Sequence, residues 1–254
     1  MHFPVVFELG PALIPAHLVF EVAAYGVGLA LYRRARSKQG LSADQSLWLL
    51  AGAVIGAALG AKILGFLEQL PRNADSLSDP AVWLETKTIV GGLLGAWLGV
   101  EVAKRATGVA APTGDATVMA FLVGLAIGRI GCFLTGVEDM TVGLHTDLPW
   151  AVDFGDGPRH PSPLYEIGFC LAFAAVLHAA RKHLRPAGVA FRVMVLGYLA
   201  FRFAGDFLKP RQPVLLGLDA IQLASLCGMV AAGWGIFRRY RHEANHDRQA
   251  VPLH

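Results

Sequence analysis

Seven long apolar segments dominate the sequence and limit the folds that are open to it. A helix needs about 20 mostly apolar residues to cross the hydrocarbon core of a bilayer, and each segment approaches or exceeds that length. The segments are residues 13–32, 45–67, 88–103, 115–135, 163–180, 189–208 and 215–237. Backbone polar groups inside a bilayer find no water, so such segments form helices. We predict an all-α integral membrane protein, one domain over residues 1–254 with seven transmembrane helices.

The overall composition supports a membrane protein. Hydrophobic residues make up 54% of the chain and charged residues only 16%, whereas soluble domains average about 45–50% and about 25%. The formal net charge is +3, and the basic residues fall in short clusters between the apolar segments. This distribution indicates membrane topology and not a nucleic-acid-binding surface.

The connections between the segments predict the orientation in the membrane. Lys and Arg are concentrated after the first, third, fifth and seventh segments, as in RRARSKQ at 33–39 and RRYRHE at 238–243. The connections after the second, fourth and sixth segments contain few Lys or Arg residues, and the long connection at 136–162 has only Arg159. Because cytoplasmic loops carry the excess of Lys and Arg, we predict the N-terminus outside and the C-terminus in the cytoplasm.

The fourth and sixth segments each carry an arginine toward the predicted outer end, and charges inside a bilayer are costly and usually functional. In FLVGLAIGRIGCFLTG at 121–136, Arg129 shares a helix face with Cys132, and in the sixth segment Arg202 precedes Asp206 by four residues. A guanidinium binds phosphate or carboxylate through paired hydrogen bonds. Two arginines against one aspartate predict a clamp for an anionic ligand, and a phospholipid head group is an obvious one. The alternative is a structural Arg–Asp pair that only holds helices together.

The stretch RHPSPLYE at 159–166 predicts a constrained turn that leads into the fifth segment. Ser162 is placed as the N-cap of that helix, with Tyr165 and Glu166 in its first turn at the membrane surface. Histidine is the side-chain type whose reference pKa lies near neutrality, which makes His160 a candidate for proton exchange. The alternative is an ordinary helix start with an interfacial tyrosine and a favourable acid.

Glycine-rich stretches predict helix faces that pack closely against a neighbouring helix. Gly52, Gly56 and Gly60 form a ladder in the second segment, and GGLLGAWLG at 91–99 lies in the third. Small residues allow membrane helices to approach each other closely. We therefore interpret residues 91–99 as a packing face.

Several ordered motifs resemble the prolipoprotein diacylglyceryl transferase family over nearly the whole chain. They are AYG at 24–26, TIVGGLLG at 88–95, GRIGCFLTG at 128–136, RHPSPLYE at 159–166, GYLAFRFAGDF at 197–207 and the region of Gln222. The resemblance implies a multi-pass enzyme of the bacterial cytoplasmic (inner) membrane, active in lipoprotein biosynthesis. Such an enzyme moves diacylglyceryl from phosphatidylglycerol to the thiol of a lipobox cysteine in a preprolipoprotein. No metal or organic cofactor is implied.

The resemblance also implies roles for individual residues. Arg129 and Arg202 match the two family arginines that are associated with the lipid phosphate. The catalytic candidates are His160, Tyr25, Tyr198 and Glu138. The supporting candidates are Cys132, Arg159, Tyr165, Glu166, Asp206 and Gln222.

Three positions depart from the family pattern. The family's H-G-G-L histidine, a candidate base for the acceptor thiol, corresponds to Val90, and its signature asparagine corresponds to Cys132. The acid that follows N-G in the family arrives one residue later here, as Glu138. Loss of a general base costs about 10²–10⁴-fold in rate. The phosphate-binding half of the site is therefore better matched than the thiol-activating half.

Two other functions remain open at the level of the sequence. One is a non-enzymatic lipid-binding or transport paralogue that keeps the anionic-lipid pocket. The other is a thiol-based redox or soft-metal site at the outer face. Its candidate residues are Cys132, Glu138, Asp139, His145 and His160, because thiolate, carboxylate and imidazole bind zinc or copper.

Overall fold

The structure, a computed structural model, describes residues 3–37, 40–69, 86–210 and 213–249. The helices in this part of the chain are α1 (Ala16–Arg36), α2 (Ala43–Gln69), α3 (Ile89–Thr107), α4 (Val118–Thr135), α5 (Ser162–Ala180), α6 (Val189–Gly205) and α7 (Ala220–Gln249). Short 3₁₀ turns occupy Gly114–Thr117, Gly136–Asp139 and Asp206–Leu208. Two antiparallel hairpins pair β1 (Val6–Leu9) with β2 (Ala12–Pro15) and β3 (Val152–Asp153) with β4 (Pro158–Arg159).

Each predicted segment overlaps one of these helices, so the prediction of a helical fold is confirmed. Four helical stretches of the described chain are long and apolar enough to cross a membrane: Ala43–Gln69, Gly114–Glu138, Ser162–Ala180 and Ala220–Asn245. Large apolar side chains cover the outside of α2, where Leu47, Trp48 and Ile55 are 59–65% exposed. Such a surface is expected where a helix contacts lipid.

Two details at helix starts differ from the predictions. The first predicted segment, 13–32, begins inside β2, and α1 starts only at Ala16 because Pro15 ends the hairpin and occupies the N-cap position. The predicted N-cap of α5 is also wrong, since Pro161 holds that position and makes no side-chain cap bond. Its ring fixes φ at −76°, which suits entry into a helix, so the cap falls one residue before Ser162.

The last predicted segment, 215–237, starts too early. Its first residues form a tight turn in which Leu215 pairs with Leu218, and α7 begins at Ala220. The Asp219 carboxylate accepts from Gln222 N at 2.7 Å, and the Gln222 amide oxygen accepts from Asp219 N at 3.2 Å. This reciprocal capping satisfies donors that the first turn of a helix leaves open, and it sets the start of α7.

The glycine ladders of α2 and α3 pack against each other, which confirms the predicted packing face. The contacts form three layers that pair Gly52 with Gly99, Gly56 with Gly95 and Gly60 with Gly91. A Cβ on either partner of the middle layer would overlap the backbone carbonyl of the other. The distance between the two helices is therefore set by backbone atoms alone.

A buried core lies between α4, α5, α6 and their neighbours. Leu122, Met194 and Leu199 are completely buried in it. The Tyr198 ring meets Phe121 edge to face, with centroids 5.2 Å apart. Because these faces of α4 and α6 are turned inward, the polar residues that share them are buried as well.

Asp115 joins the N-terminal ends of α4 and α6. Its carboxylate oxygens accept from Gly188 N at 2.6 Å and from Phe191 N at 2.9 Å. The first N–H groups of a helix lack partners within the helix, so this acid caps α6. The two helices thus start at the same end. At a rise of 1.5 Å per residue, Arg129 lies about 17 Å from the start of α4 and Arg202 about 20 Å from the start of α6, both toward the other end of the bundle.

The connection between α4 and α5 folds back onto the end of α6. Gly143 N donates to His160 O at 2.9 Å, His160 N donates to Leu144 O at 3.0 Å, and Leu144 N donates to Leu208 O at 2.8 Å. Gly143 has no space for a side chain, because a Cβ there would lie 2.8 Å from Ser162 Oγ. This network holds the connection at the C-terminal ends of α4 and α6.

Gly95→Ala is expected to weaken the packing of α2 on α3, because the added Cβ would overlap the Gly56 carbonyl. Overpacking costs roughly 1–3 kcal/mol, which should appear as a lower unfolding temperature in detergent. Gly168→Ala in α5 is the matched control, since a Cβ there meets nothing within 4 Å. Equal unfolding temperatures for the two variants would contradict this account of the helix pair.

Candidate functional site

Arg129, Glu166 and Arg202 meet where α4, α5 and α6 come together. Arg129 Nε lies 2.7 Å from Glu166 Oε2, and Arg202 Nη1 lies 3.7 Å from the same oxygen. The exposed fractions of the three residues are only 5%, 2% and 7%. One buried carboxylate therefore bridges two guanidinium groups that come from different helices.

Two further side chains complete this ion cluster. Tyr198 Oη donates to Glu166 Oε1 at 2.7 Å, and Arg202 Nη2 donates to Asp206 Oδ1 at 2.7 Å. The second contact is the Arg–Asp pair that the four-residue spacing predicts. Removing a charge from water costs several kcal/mol, and pairing within the cluster offsets that cost.

Each arginine keeps a donor with a weak acceptor or none among the described residues. Within the described part of the chain, Arg202 Nε is buried and has no hydrogen-bond partner, and Ser162 Oγ is in the same state. Arg129 Nη1 donates to Cys132 Sγ at 3.6 Å, and sulfur is a weak acceptor. An unsatisfied buried group costs about 1–3 kcal/mol. These groups therefore suit a ligand that supplies oxygen acceptors.

Lys209 is a further cationic group near the cluster, and the sequence motifs do not include it. It follows the 3₁₀ turn at the end of α6 and is half-buried. Burial and the positive charges of Arg202 and Arg129 lower the pKa of Lys209 to about 7. The sequence contained a signal, because residues 202, 206 and 209 have the i, i+4, i+7 spacing of one helix face. Unlike an ordinary lysine, this amine exchanges its proton near neutral pH.

His160 and Tyr165 form a hydrogen-bonded pair at the start of α5. His160 Nδ1 lies 3.2 Å from Tyr165 Oη, and Trp150 Nε1 donates to the same hydroxyl at 2.8 Å. Since that hydroxyl accepts from the indole, its own proton can bond His160 Nδ1. The neutral imidazole then carries its proton on Nε2.

Arg159 stabilises the outer connection. Its Nε and Nη2 contact the Asp156 carboxylate at 2.6–3.0 Å, and Nη1 donates to Gly143 O at 3.1 Å. The hydrogen bond to Arg159 lowers the pKa of the exposed Asp156, and the same bond raises the pKa of Arg159. Arg159 therefore stabilises the connection between α4 and α5. In the described part of the chain it makes no contact with the ion cluster.

Three other predicted site residues have contacts apart from this cluster. Tyr25 is 70% exposed on α1 and donates to Glu21 at 3.1 Å. Glu138 is exposed in the 3₁₀ turn after α4. Gln222 is completely buried and caps α7 with Asp219.

Two further observations concern the family's histidine position and the alternative of a metal site. Val90, at the position of the family's histidine, is completely buried in the core and offers no titratable group. Among the described residues, no three His, Cys, Asp or Glu side chains come together as a group that could hold a metal ion. The side chain of Asp139, one of the metal-site candidates, lies outside the described part of the chain.

The long apolar helices and the buried ion cluster that they enclose define the class of this chain, a multi-pass membrane protein. The chain belongs to the prolipoprotein diacylglyceryl transferase family, whose profile matches residues 4–238. The family resemblance of the sequence motifs is thereby confirmed.

Similar proteins match along almost the whole chain. The phosphatidylglycerol–prolipoprotein diacylglyceryl transferase of Aromatoleum aromaticum is 30% identical, with coverage of 96% of this chain and 97% of the relative. The protein of the same name from Geobacter sulfurreducens is 33% identical, covering 91% and 88% of the two chains. That from Pasteurella multocida is 34% identical, covering 81% and 78%. The likeness thus extends well beyond the site.

Glu166→Gln is expected to lower the unfolding temperature in detergent sharply, because two buried arginines lose their shared counter-charge. Removing one partner of a buried ion pair costs about 3–5 kcal/mol. Glu21→Gln is the control, since Glu21 lies 3.8 Å from Lys87 Nζ and its side chain is 33% exposed. If Glu166→Gln unfolded at the wild-type temperature, Glu166 would not be the group that holds the arginines.

Proposed function

We propose that the protein is a phosphatidylglycerol–prolipoprotein diacylglyceryl transferase. Family membership supports the class of reaction. The observation that carries the proposal for the site is the buried Arg202 Nε, a donor without an acceptor in the described chain, in a cluster with Arg129. A phosphodiester supplies oxygen acceptors and one negative charge, which guanidinium groups bind well. We assign Arg129 and Arg202 to the lipid phosphate.

In this reaction the acceptor thiolate attacks the glyceryl carbon that bears the phosphodiester. A C–S bond forms, the C–O bond to the phosphate breaks, and glycerol phosphate leaves with the electron pair. The phosphate changes from one negative charge toward two. Donors that contact its oxygens therefore bind the transition state more strongly than the lipid, which accelerates the reaction.

We assign Lys209 as the base that accepts the proton of the acceptor thiol. The family's histidine position is Val90, a buried valine. The pKa of Lys209, about 7, leaves a large neutral fraction at neutral pH. The neutral amine accepts the proton as the thiolate forms, and the resulting ammonium group then attracts the leaving phosphate. Burial and cationic neighbours are recognised ways to tune a lysine for this task.

The other predicted site residues have secondary roles in this proposal. Tyr198 orients Glu166, and through it the two arginines. His160 is the second candidate for the proton acceptor, since Tyr165 orients its ring. We assign the exposed Glu138 and Tyr25 to contacts with the incoming lipid or the lipobox segment.

We also propose that all seven helices cross the bacterial inner membrane, with the N-terminus outside. The last turns of α1 and α3 are basic, with Arg33, Arg34 and Arg36 in the first and Lys104 and Arg105 in the second. Such ends belong in the cytoplasm. The ion cluster then lies toward the outer leaflet, where a translocated lipobox cysteine would arrive.

Purified protein with phosphatidylglycerol and a lipobox peptide is expected to give thioether-linked peptide and glycerol phosphate, both measured by mass spectrometry. Arg202→Gln should reduce the rate by about 10²–10³-fold, as expected for loss of a donor at a developing oxyanion. Arg34→Gln, an exposed arginine at the opposite end, should leave the rate unchanged. Phosphatidylglycerol retained by the wild type without any turnover would favour the non-enzymatic lipid-binding alternative.

The transfer rate is expected to rise with pH through about 7, because only neutral Lys209 accepts a proton. Lys209→Arg keeps the positive charge and cannot act as a base, so the rate should fall by about 10²–10⁴-fold. His160→Gln is the matched comparison. Loss of the pH-dependent rise in His160→Gln, with the rise intact in Lys209→Arg, would move the assignment to His160.

A further inference from the structure

A basic cavity lies at the end of the bundle opposite to Arg129. It has a volume of about 970 Å³ and lies between the C-terminal half of α3, the start of α6 and the middle of α7. Its charged lining includes four arginines and two glutamates: Arg105, Arg192, Arg238, Arg239, Glu101 and Glu243. Within residues 3–37, 40–69, 86–210 and 213–249, none of these arginines forms an ion pair. The cavity therefore carries an excess of unpaired positive charge.

Arg192 contributes a buried donor to this cavity. Its Nη1 donates to Gly188 O at 2.7 Å, whereas its Nε is buried without a hydrogen-bond partner among the described residues. The guanidinium lies over Gly235, where a Cβ would overlap it. Buried polar groups are nearly always hydrogen-bonded in folded proteins, so this N–H indicates a ligand with an oxygen acceptor.

An apolar cavity of about 420 Å³ adjoins the basic one. Its lining is largely apolar and comes from α2 and α3, with contributions from α4 and α6. The two cavities share Trp97, Glu101, Arg192 and Arg239. Sites for small molecules have volumes of about 300–1,000 Å³. A cationic space that opens into an apolar one is complementary to an amphiphile with an anionic head.

We propose that the two cavities together bind an anionic phospholipid, with its phosphate on Arg192 and Arg239 and one acyl chain in the apolar cavity. The lipid belongs to the leaflet at the basic ends of α1 and α3, where basic pockets between helices attract anionic head groups. A free phosphate would leave the apolar cavity unused. On α6, Arg192 and Arg202 are ten residues apart, about 15 Å, so this site is separate from the ion cluster.

The first test counts bound lipids on the full chain by native mass spectrometry. Delipidated protein is exposed to equal amounts of phosphatidylglycerol and phosphatidylcholine in mixed micelles. The wild type is expected to retain two phosphatidylglycerol molecules. The double variant Arg192→Gln/Arg239→Gln should lose one, with at least a tenfold weaker affinity, and Arg202→Gln should lose the other. Arg33→Gln/Arg34→Gln, which removes two exposed charges at the same end, should retain both.

A second variant displaces Arg192 without removing any charge. In Gly235→Ala the new methyl group would take the position of the guanidinium. This variant should lose the same lipid as Arg192→Gln/Arg239→Gln. Gly233→Ala, where a Cβ meets nothing within 4 Å, should behave as the wild type. Unfolding temperatures confirm that the variants are folded.

Three outcomes would overturn the proposal. The first is that the Arg192→Gln/Arg239→Gln variant still retains two lipids. The second is that phosphatidylcholine is retained as well as phosphatidylglycerol. The third is that millimolar inorganic phosphate displaces the lipid bound at Arg192 and Arg239. The last outcome would identify a site for free phosphate. None of the measurements uses transferase activity, so a failure here is distinct from a failure of the proposed reaction.

Discussion

One carboxylate shared by two arginines organises the centre of this protein. Glu166 contacts Arg129 and Arg202 from a third helix, and all three side chains are buried. Charges in an apolar interior need partners, so these contacts fix the rotation of α4, α5 and α6 about their axes. Arg202 Nε is buried without a hydrogen-bond partner among the described residues. Structural stability and the proposed binding of the lipid phosphate therefore depend on the same groups.

The parts of the fold that follow from local properties could be predicted from the sequence. Helix positions follow from apolar length, and the packing faces of α2 and α3 follow from glycine spacing. The Arg202–Asp206 pair could also be predicted, because both residues lie on one face of consecutive turns. Apolar length alone predicts starts of α1 and α7 that are too early, because a proline-ended hairpin and the Asp219–Gln222 cap set them.

Contacts between helices could not be derived in the same way. The bridge from Glu166 to both arginines depends on the mutual rotation of three helices, which spacing within one segment does not contain. The family resemblance placed Glu166 only in a supporting role. Lys209 was missed for another reason, since it lies just beyond the apolar segment and outside the motifs. Its unusual proton affinity comes from burial and neighbouring charges.

Cys132 makes the interior of the site accessible to chemical measurement. Its sulfur accepts from Arg129 and is buried, and Cys170 is completely buried as well. Cys227 is exposed and would react first, so its replacement by serine leaves only buried thiols. The alkylation rate of Cys132 then reports how often the helices around Arg129 separate enough to admit a reagent. A residue that departs from the family signature thus becomes a natural gauge of how the site opens.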